Sequence, residues 1–223
     1  TFGFSAEFDF GKFDDETDNT SDVNIFPTMK ISTNFQEIID EPKINAELIV
    51  IENNTEKNYK IGIEIRGSSS KMFPKKSYGI ETKSSDWSED IDVNLGGFPE
   101  EEDWILYGPY SDKSLIRNVL IYKLSNLINR YATKTKFYNL EINDEFLGVY
   151  VLMEKIKRDK NRVDISKNKS EDISGGYIIK IDKITGDGDS LNSDIAFMSE
   201  YTPAGKKGIN RNVHFLYEYP KND

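Results

Sequence analysis

The chain contains no cysteine among its 223 residues. Disulfide bonds, thiolate metal sites and cysteine nucleophiles are therefore excluded. The single histidine, His214, lies between Val213 and Phe215 in a stretch with strand-like alternation. We expect His214 to occupy a core or sheet-edge position, and the lack of a second histidine excludes a Ser–His catalytic pair elsewhere in the chain.

Long hydrophobic runs are also missing from the sequence. No stretch approaches the ~18 apolar residues of a membrane span, and no signal peptide is visible. Because the chain starts at Thr1, we expect a leader or upstream region to have been removed. Lysine and arginine total 29 against 39 acidic residues, a net charge of −10. This balance argues against nucleic-acid partners and against an anionic membrane surface, although a local basic patch can still bind anions.

Aromatic residues, in contrast, are abundant, with 12 Tyr and 13 Phe. Such a composition is typical of a globular protein. At the N-terminus, phenylalanines at positions 2, 4, 8 and 10 alternate with small or acidic residues and predict a strand or a clinging arm. Residues 14–22 form an acidic linker that lacks the central glycine of a calcium loop. We therefore divide the chain into an arm and linker (residues 1–24), a first lobe (25–155) and the start of a second (156–223).

Hydrophobic alternation predicts several strands in the first lobe. Residues 44–51 form one strand, Asn53 and Asn54 mark a turn, and residues 59–66 alternate with the period of a half-buried strand. A third strand is predicted at residues 77–83. Further strands are predicted at residues 137–142, 147–153, 177–181 and 212–219.

One long amphipathic helix is predicted after the turn that contains Pro109. Ser111 is a plausible N-cap, and Asp112 suits the first turn. Apolar residues then recur with helical period at positions 115, 116, 119, 120, 124, 127 and 128. This pattern predicts a helix with a buried apolar face.

The segment from Arg66 to Ile80 carries four cations and no carboxylate in an otherwise acidic protein. It begins with a Gly-Ser-Ser-Ser turn and continues into a strand that bears lysines. This combination suits an anionic ligand such as a phosphate. A solvated surface turn is the alternative, and on this segment alone the two interpretations are equally supported.

The predicted order of strands, lysine strand, helix and hairpin is similar to the small lobe of a protein kinase. We therefore expect an α+β fold of the atypical protein-kinase type. Its small lobe would hold an antiparallel sheet and one long helix, followed by the beginning of a larger lobe.

Four ordered sequence blocks extend this similarity to a particular family. They are residues 65–69 with 75–78 (IRGSS, KKSY), 103–107 with 110–118 (DWILY, YSDKSLIRN), 148–156 with 159–165 (GVYVLMEKI, DKNRVDI) and 175–183 (GGYIIKIDK). Together they resemble the CotH (spore coat protein H) family of secreted atypical protein kinases, over roughly residues 44–220.

The resemblance implies phosphoryl transfer from ATP, with Mg²⁺ or Mn²⁺, to Ser or Thr of a protein outside the cytoplasm, in a spore coat or at a cell surface. Lys76 and Arg66 are then the candidates for the nucleotide phosphates, with Ser68 in the turn between them. Glu154 is the candidate for the adenine or ribose, or it caps a turn. The structural alternative for Arg66 is an ion pair with Glu64 or Glu81.

Two helix residues and one possible metal ligand are also candidates for the site. Arg117 and Asn118 on the helix would support the phosphate site or tie the helix to the preceding loop. Asp182 is a weak candidate for a metal ligand, with a structural acid at a strand end as the alternative.

The chain departs from the family pattern in its catalytic acids. The family's metal-binding Asp lies in a Trp-Asp-x-Asp motif, but Trp occurs here only at positions 87 and 104, and neither is followed by that motif. We therefore expect the catalytic residues beyond Asp223, and we expect this chain alone to be inactive. The alternative function is a non-catalytic surface adhesin or binding module with the same fold.

Overall fold

The computed structural model describes residues 26–168, 174–181, 196–199 and 213–220. Ten strands and one α-helix are found in these residues. The strands are β1 Thr28–Ser32, β2 Ile44–Glu52, β3 Thr55–Arg66, β4 Ser77–Lys83, β5 Asp103–Tyr107, β6 Thr135–Ile142, β7 Glu145–Glu154, β8 Ile178–Ile181, β9 Ala196–Ser199 and β10 Val213–Tyr219, and the helix is α1 Arg117–Leu127. A short 3-10 turn, Ser69–Met72, separates β3 from β4.

The first seven strands form a closed barrel in the order β1-β2-β3-β4-β5-β7-β6. Neighbouring strands are antiparallel except at the closure, where β1 pairs with β6 in parallel and Thr28 lies opposite Asn139. The barrel interior is filled with aliphatic and aromatic side chains. Trp104, Tyr138 and Tyr150 are the largest of those that are fully buried.

The strand predictions at β2, β3 and β4 are confirmed. In β2, the side chains of Ile44, Ala46, Leu48 and Val50 are buried, while residues 45 and 47 are exposed, as expected for a strand with one face toward a core. The β2–β3 turn has positive φ at both Asn53 (48°) and Asn54 (59°). Two such residues give the turn twist that a tight hairpin requires, and asparagine tolerates that conformation.

A second sheet lies C-terminal to the barrel and has the order β8-β10-β9. Both of its strand pairs are antiparallel, with Leu216 of β10 opposite Lys180 of β8 and Ala196 of β9. Leu216 is buried. The strands predicted at residues 177–181 and 212–219 are therefore confirmed to within one residue.

The expected fold class, however, is wrong. We predicted a kinase-like lobe with an antiparallel sheet and one long helix, whereas the sheet closes on itself as a barrel and α1 has only 11 residues. Closure depends on β1, a five-residue strand that joins β2 to β6 across more than 100 residues of sequence. No local pattern specifies such a pairing.

The helix prediction is wrong at its start and in its burial. Leu115 has a φ of +62°, which is incompatible with a right-handed helix, so α1 begins only at Arg117. Asp112 organises the preceding turn by accepting backbone hydrogen bonds from Ser114 (3.0 Å) and Arg117 (2.8 Å). No residue of α1 is buried.

Several predictions fall outside the described residues, namely those on the arm and linker (1–24), on Asp182 and on the side chain of His214. The division into two lobes stays a prediction. Among the described residues, no helix is both long enough and apolar enough to cross a membrane.

Candidate functional site

A large cavity of about 610 Å³ lies between the barrel and the second sheet. The barrel contributes side chains from the ends of β3, β4, β5 and β7, and the sheet contributes β8 and one residue of β10. Three cations line this cavity, Arg66, Lys155 and Lys180. Its apolar lining includes Ile105, Met153, Ile156, Ile178 and Ile179.

Arg66 ends β3 and is partly buried, and its guanidinium makes no hydrogen bond or ion pair with any other residue that the structure describes. Burial lowers the pKa of the Arg66 guanidinium, although acidic groups around it oppose the effect. The two carboxylates that we considered as its partners are held elsewhere, because Lys43 lies 3.3 Å from Glu64 and 2.9 Å from Glu81. Arg66 therefore presents an unpaired charge to the cavity.

A smaller cavity of about 250 Å³ also contacts Arg66, and its lining is more acidic. Three of its four carboxylates are held by lysines: Asp103 pairs with Lys155 at 2.9 Å, Glu64 with Lys43 at 3.3 Å, and Asp40 with Lys71. These ion pairs explain why acidic neighbours do not neutralise Arg66 directly.

The Gly-Ser turn has a geometry that requires glycine at its start. Gly67 has a φ of +120°, and a Cβ there would lie 2.0 Å from the Ser70 Oγ. Gly67 and Ser70 line the large cavity, whereas Ser68 is exposed and does not. The carbonyl of Ser68 accepts a hydrogen bond from the Lys71 N–H at 3.1 Å, so Ser68 helps to fold the turn.

The two lysines that follow this turn point away from the large cavity. Lys76 donates its ammonium to the carbonyl of Lys71 within the turn. Lys75 lies 4.2 Å above the Tyr150 ring and donates to the Leu147 carbonyl at 2.8 Å. Neither lysine lines the cavity, and its lysines come instead from β8 and from the residue that follows β7.

Glu154 lines the cavity, but its carboxylate is already bound on both oxygens. It accepts hydrogen bonds from Arg162 Nη1 at 2.7 Å and from the backbone N–H of Lys134 at 2.9 Å. The side chains of Glu154 and Arg162 are both fully buried, and the Arg162 guanidinium lies 4.6 Å over the Trp104 ring. Glu154 thus fixes the end of β7, and sequence analysis did not single out its partner Arg162.

The remaining predicted residues lie apart from the cavity. Arg117 is exposed and approaches Asp112 at 3.4 Å, and Asn118 is half-buried at the start of α1. Tyr122, one turn further along the same helix, lines the cavity instead. The structure therefore brings Arg66 and Glu154 together, but not Ser68, Lys76, Arg117 or Asn118.

The sequence contains only weak indications that Lys155 and Lys180 line a cavity, and neither was predicted as a site residue. Lys155 follows directly after the apolar strand β7, and Lys180 is flanked by isoleucines in β8. A lysine at such a position commonly marks a strand face that reaches solvent. These lysines differ from ordinary surface residues because the ends of the two sheets meet around one cavity, and the sequence does not show that arrangement.

The carboxylates of Asp92, Glu101 and Glu102 form an acidic cluster whose oxygens lie within 4.8 Å of one another. Lys157 reaches this cluster, at 2.6 Å from both Glu101 and Glu102, and at 2.9 Å from Asp103. Burial alone would lower the pKa of Lys157, but the surrounding carboxylates outweigh it and raise that pKa. The Lys157 ammonium already neutralises part of this cluster, and the cluster does not line the large cavity. These residues therefore do not fit a nucleotide-bound metal ion.

Comparison with known proteins supports one family. No curated protein matches the chain. A family model described as CotH kinase protein matches residues 63–216, from β3 to β10, and this match confirms the resemblance carried by the four sequence blocks. The chain belongs to the CotH kinase protein family.

Proposed function

We propose that the large cavity binds the phosphates of ATP and that the chain serves phosphoryl transfer to Ser or Thr of a protein. The observation that carries this proposal is Arg66, a partly buried guanidinium without a partner among the described residues. A charged group removed from water requires an opposite charge or hydrogen-bond acceptors. An anion in the cavity supplies both, and a planar guanidinium can hold two phosphate oxygens at once.

The rest of the lining agrees with a nucleotide in size and chemistry. Ligand pockets commonly have volumes of about 300–1,000 Å³ and combine apolar walls with a few polar groups. Lys155 and Lys180 also line the cavity, but each is held in an ion pair, with Asp103 at 2.9 Å and with Glu218 at 3.2 Å, so Arg66 is its unpaired cation among the described residues. Ile105, Met153 and Ile178 offer apolar surface for a base. We assign the phosphates to the Arg66 and Gly67 end, because the turn there also offers the Ser70 hydroxyl.

Phosphoryl transfer depends mainly on positioning and on neutralising the charge of the transferred group. In this chain Arg66 would hold the phosphates, and the Glu154–Arg162 pair would keep the wall of the cavity in place. A divalent metal ion would add charge neutralisation, but the acidic cluster around Lys157 does not fit that role.

The target and place of action also belong to this proposal. A Ser or Thr hydroxyl on an exported protein is the acceptor that the family relationship favours, with the reaction taking place in a spore coat or at a cell surface. The absence of cysteine is compatible with such a location.

The proposal is tested by equilibrium titration of ATP against the 223-residue chain and an Arg66→Ala variant. Charge-assisted hydrogen bonds contribute about 1.5–3 kcal/mol each, so the variant should bind ATP roughly 10- to 100-fold more weakly. Arg66→Lys should recover only part of the affinity, since lysine cannot make the bidentate contact.

Arg130→Ala is the matched control, because Arg130 is exposed and does not line the cavity. Its affinity should equal that of the unmodified chain. Equal affinity of Arg66→Ala and Arg130→Ala for ATP would contradict the assignment of the phosphate site.

A further inference from the structure

Helix α1 carries its apolar side chains toward solvent. Leu120, Leu124 and Leu127 are 51%, 40% and 62% exposed, and Ile116, Ile121 and Ile128 extend the same surface. The half-buried face of the helix holds Asn118, Val119, Tyr122 and Ser125 instead. Since a surface helix normally buries its apolar stripe, this helix presents a contiguous apolar surface that no described residue covers.

Unpaired cations lie on and beside the same surface. Residues 113–140 contain six lysines and arginines and no carboxylate, and three of them, Arg117, Lys134 and Lys136, form ion pairs with Asp112, Glu154 and Glu52. Lys123 and Arg130 are exposed and make no ion pair in the part of the chain that the structure describes. An occupant of this surface therefore needs both apolar side chains and negative charge.

We propose that the occupant is the N-terminal segment of this chain, residues 1–24. These residues include five phenylalanines, at positions 2, 4, 8, 10 and 13, and seven carboxylates against a single lysine. The phenylalanines supply apolar side chains that can pack against the exposed leucines of α1. The carboxylates complement the charges of Lys123 and Arg130.

The attachment point of the segment favours this contact. Phe26 lies beside Phe137 of β6, with ring centroids 5.3 Å apart, and β6 follows α1 in the chain. The end of α1 is tied to the residues before β6, because the Asn126 side chain makes two hydrogen bonds of 3.0 Å with the backbone of Ala132.

The segment is also long enough to reach the helix. Twenty-four residues span up to ~80 Å when extended, at about 3.3 Å per residue, whereas the 11-residue helix is only ~16 Å long. Tethering raises the effective concentration of the segment to the order of millimolar, so a weak contact suffices to cover α1.

Hydrogen exchange of the α1 amides tests this proposal. In the full chain these amides should exchange at least about tenfold more slowly than in a variant that lacks residues 1–24. A synthetic peptide of residues 1–24, added at millimolar concentration to the shortened variant, should restore the slow exchange. Protection that is unchanged by the deletion would overturn the proposal.

A second variant keeps the test independent of the deletion. Lys123→Glu should accelerate exchange in α1 of the full chain, and added salt should do the same, because the contact is partly electrostatic. Lys57→Glu is the control, since Lys57 is an exposed lysine in the β2–β3 hairpin and should have no effect.

Other occupants give different results. A second copy would produce protection that rises with protein concentration, together with a dimer in sedimentation that survives the deletion. An anionic vesicle of phosphatidylserine and phosphatidylcholine would protect α1 equally in the full and shortened chains. Either result would overturn the assignment to residues 1–24.

Discussion

At the scale of single residues, two charged groups at the same cavity have opposite roles. The Glu154 carboxylate is buried and satisfied by Arg162 and by the Lys134 backbone, so it belongs to the structure. The Arg66 guanidinium is partly buried and unsatisfied within the described residues, so it is available to a ligand. From the sequence we predicted both residues as nucleotide ligands, because a sequence does not show which charged side chains will form ion pairs in the folded protein.

The Glu154–Arg162 pair gives a prediction about stability. Arg162→Met removes the cation that lies 2.7 Å from the buried Glu154 carboxylate and leaves only the Lys134 ammonium, at 3.7 Å. Loss of one partner of a buried ion pair typically costs about 3–5 kcal/mol. Urea denaturation should show this decrease in the free energy of unfolding. The double variant Glu154→Gln with Arg162→Met should be more stable than Arg162→Met alone, because it no longer buries a carboxylate that has lost its nearest cation.

Glu47→Gln is the control for that measurement. It removes the Glu47–Lys60 ion pair, whose side chains are both partly exposed, and such surface pairs contribute only about 0–1 kcal/mol. A loss in Arg162→Met no larger than that in Glu47→Gln would show that the buried pair is not a structural anchor.

At the scale of elements, the strands were predictable where one face meets the core. β2, β3 and β4 alternate with period two, and the Asn53-Asn54 turn fixes the register of β2 against β3. Helix α1 was predicted with the wrong start and the wrong face, because its apolar period is real but its apolar side points outward. The positive φ of Leu115 that sets its start depends on contacts around Asp112, and residue type alone does not predict it.

The start of α1 should depend on pH. Hydrogen bonds from the Ser114 hydroxyl and from the Arg117 and Ser114 backbones hold the pKa of Asp112 below its usual value. A group with a lowered pKa in the folded state stabilises that state above its ordinary pKa of about 3.9, and this stabilisation is lost as the pH falls through the lowered value.

Amide exchange of Arg117, corrected for the intrinsic effect of pH, should therefore accelerate as the pH falls from 5 toward 2. Asp112→Asn should show fast exchange already at pH 5 and little further change on acidification. A pH dependence that is identical in the two proteins would contradict this capping role.

At the scale of the whole molecule, closure of the barrel is the feature that could not be predicted from the sequence. β1 has five residues and pairs with β6 in parallel, and the two strands lie more than 100 residues apart in the chain. Local patterns carry no information about such a contact. The barrel strands that line the cavity, β3, β4, β5 and β7, are consecutive neighbours in the sheet and lie away from this closure.

Burial of Met29 should make a large contribution to closure. Met29 is fully buried in β1 opposite Leu140 of β6, so Met29→Ala should lower the free energy of unfolding by about 2–5 kcal/mol. Met72→Ala is the matched control, since Met72 is 78% exposed, and should change it by no more than about 0.5 kcal/mol. Similar losses in the two variants, measured by urea denaturation, would show that β1 is not part of a cooperative barrel.

The central claim is that Arg66 presents its charge to the phosphates of a nucleotide. Titration of the 223-residue chain with ATP, ADP and adenosine tests this claim most directly, in parallel with Arg66→Ala. The affinity of the unmodified chain should fall with each loss of phosphate, and Arg66→Ala should discriminate far less among the three ligands. Equal affinities of the unmodified chain for ATP and adenosine would contradict it.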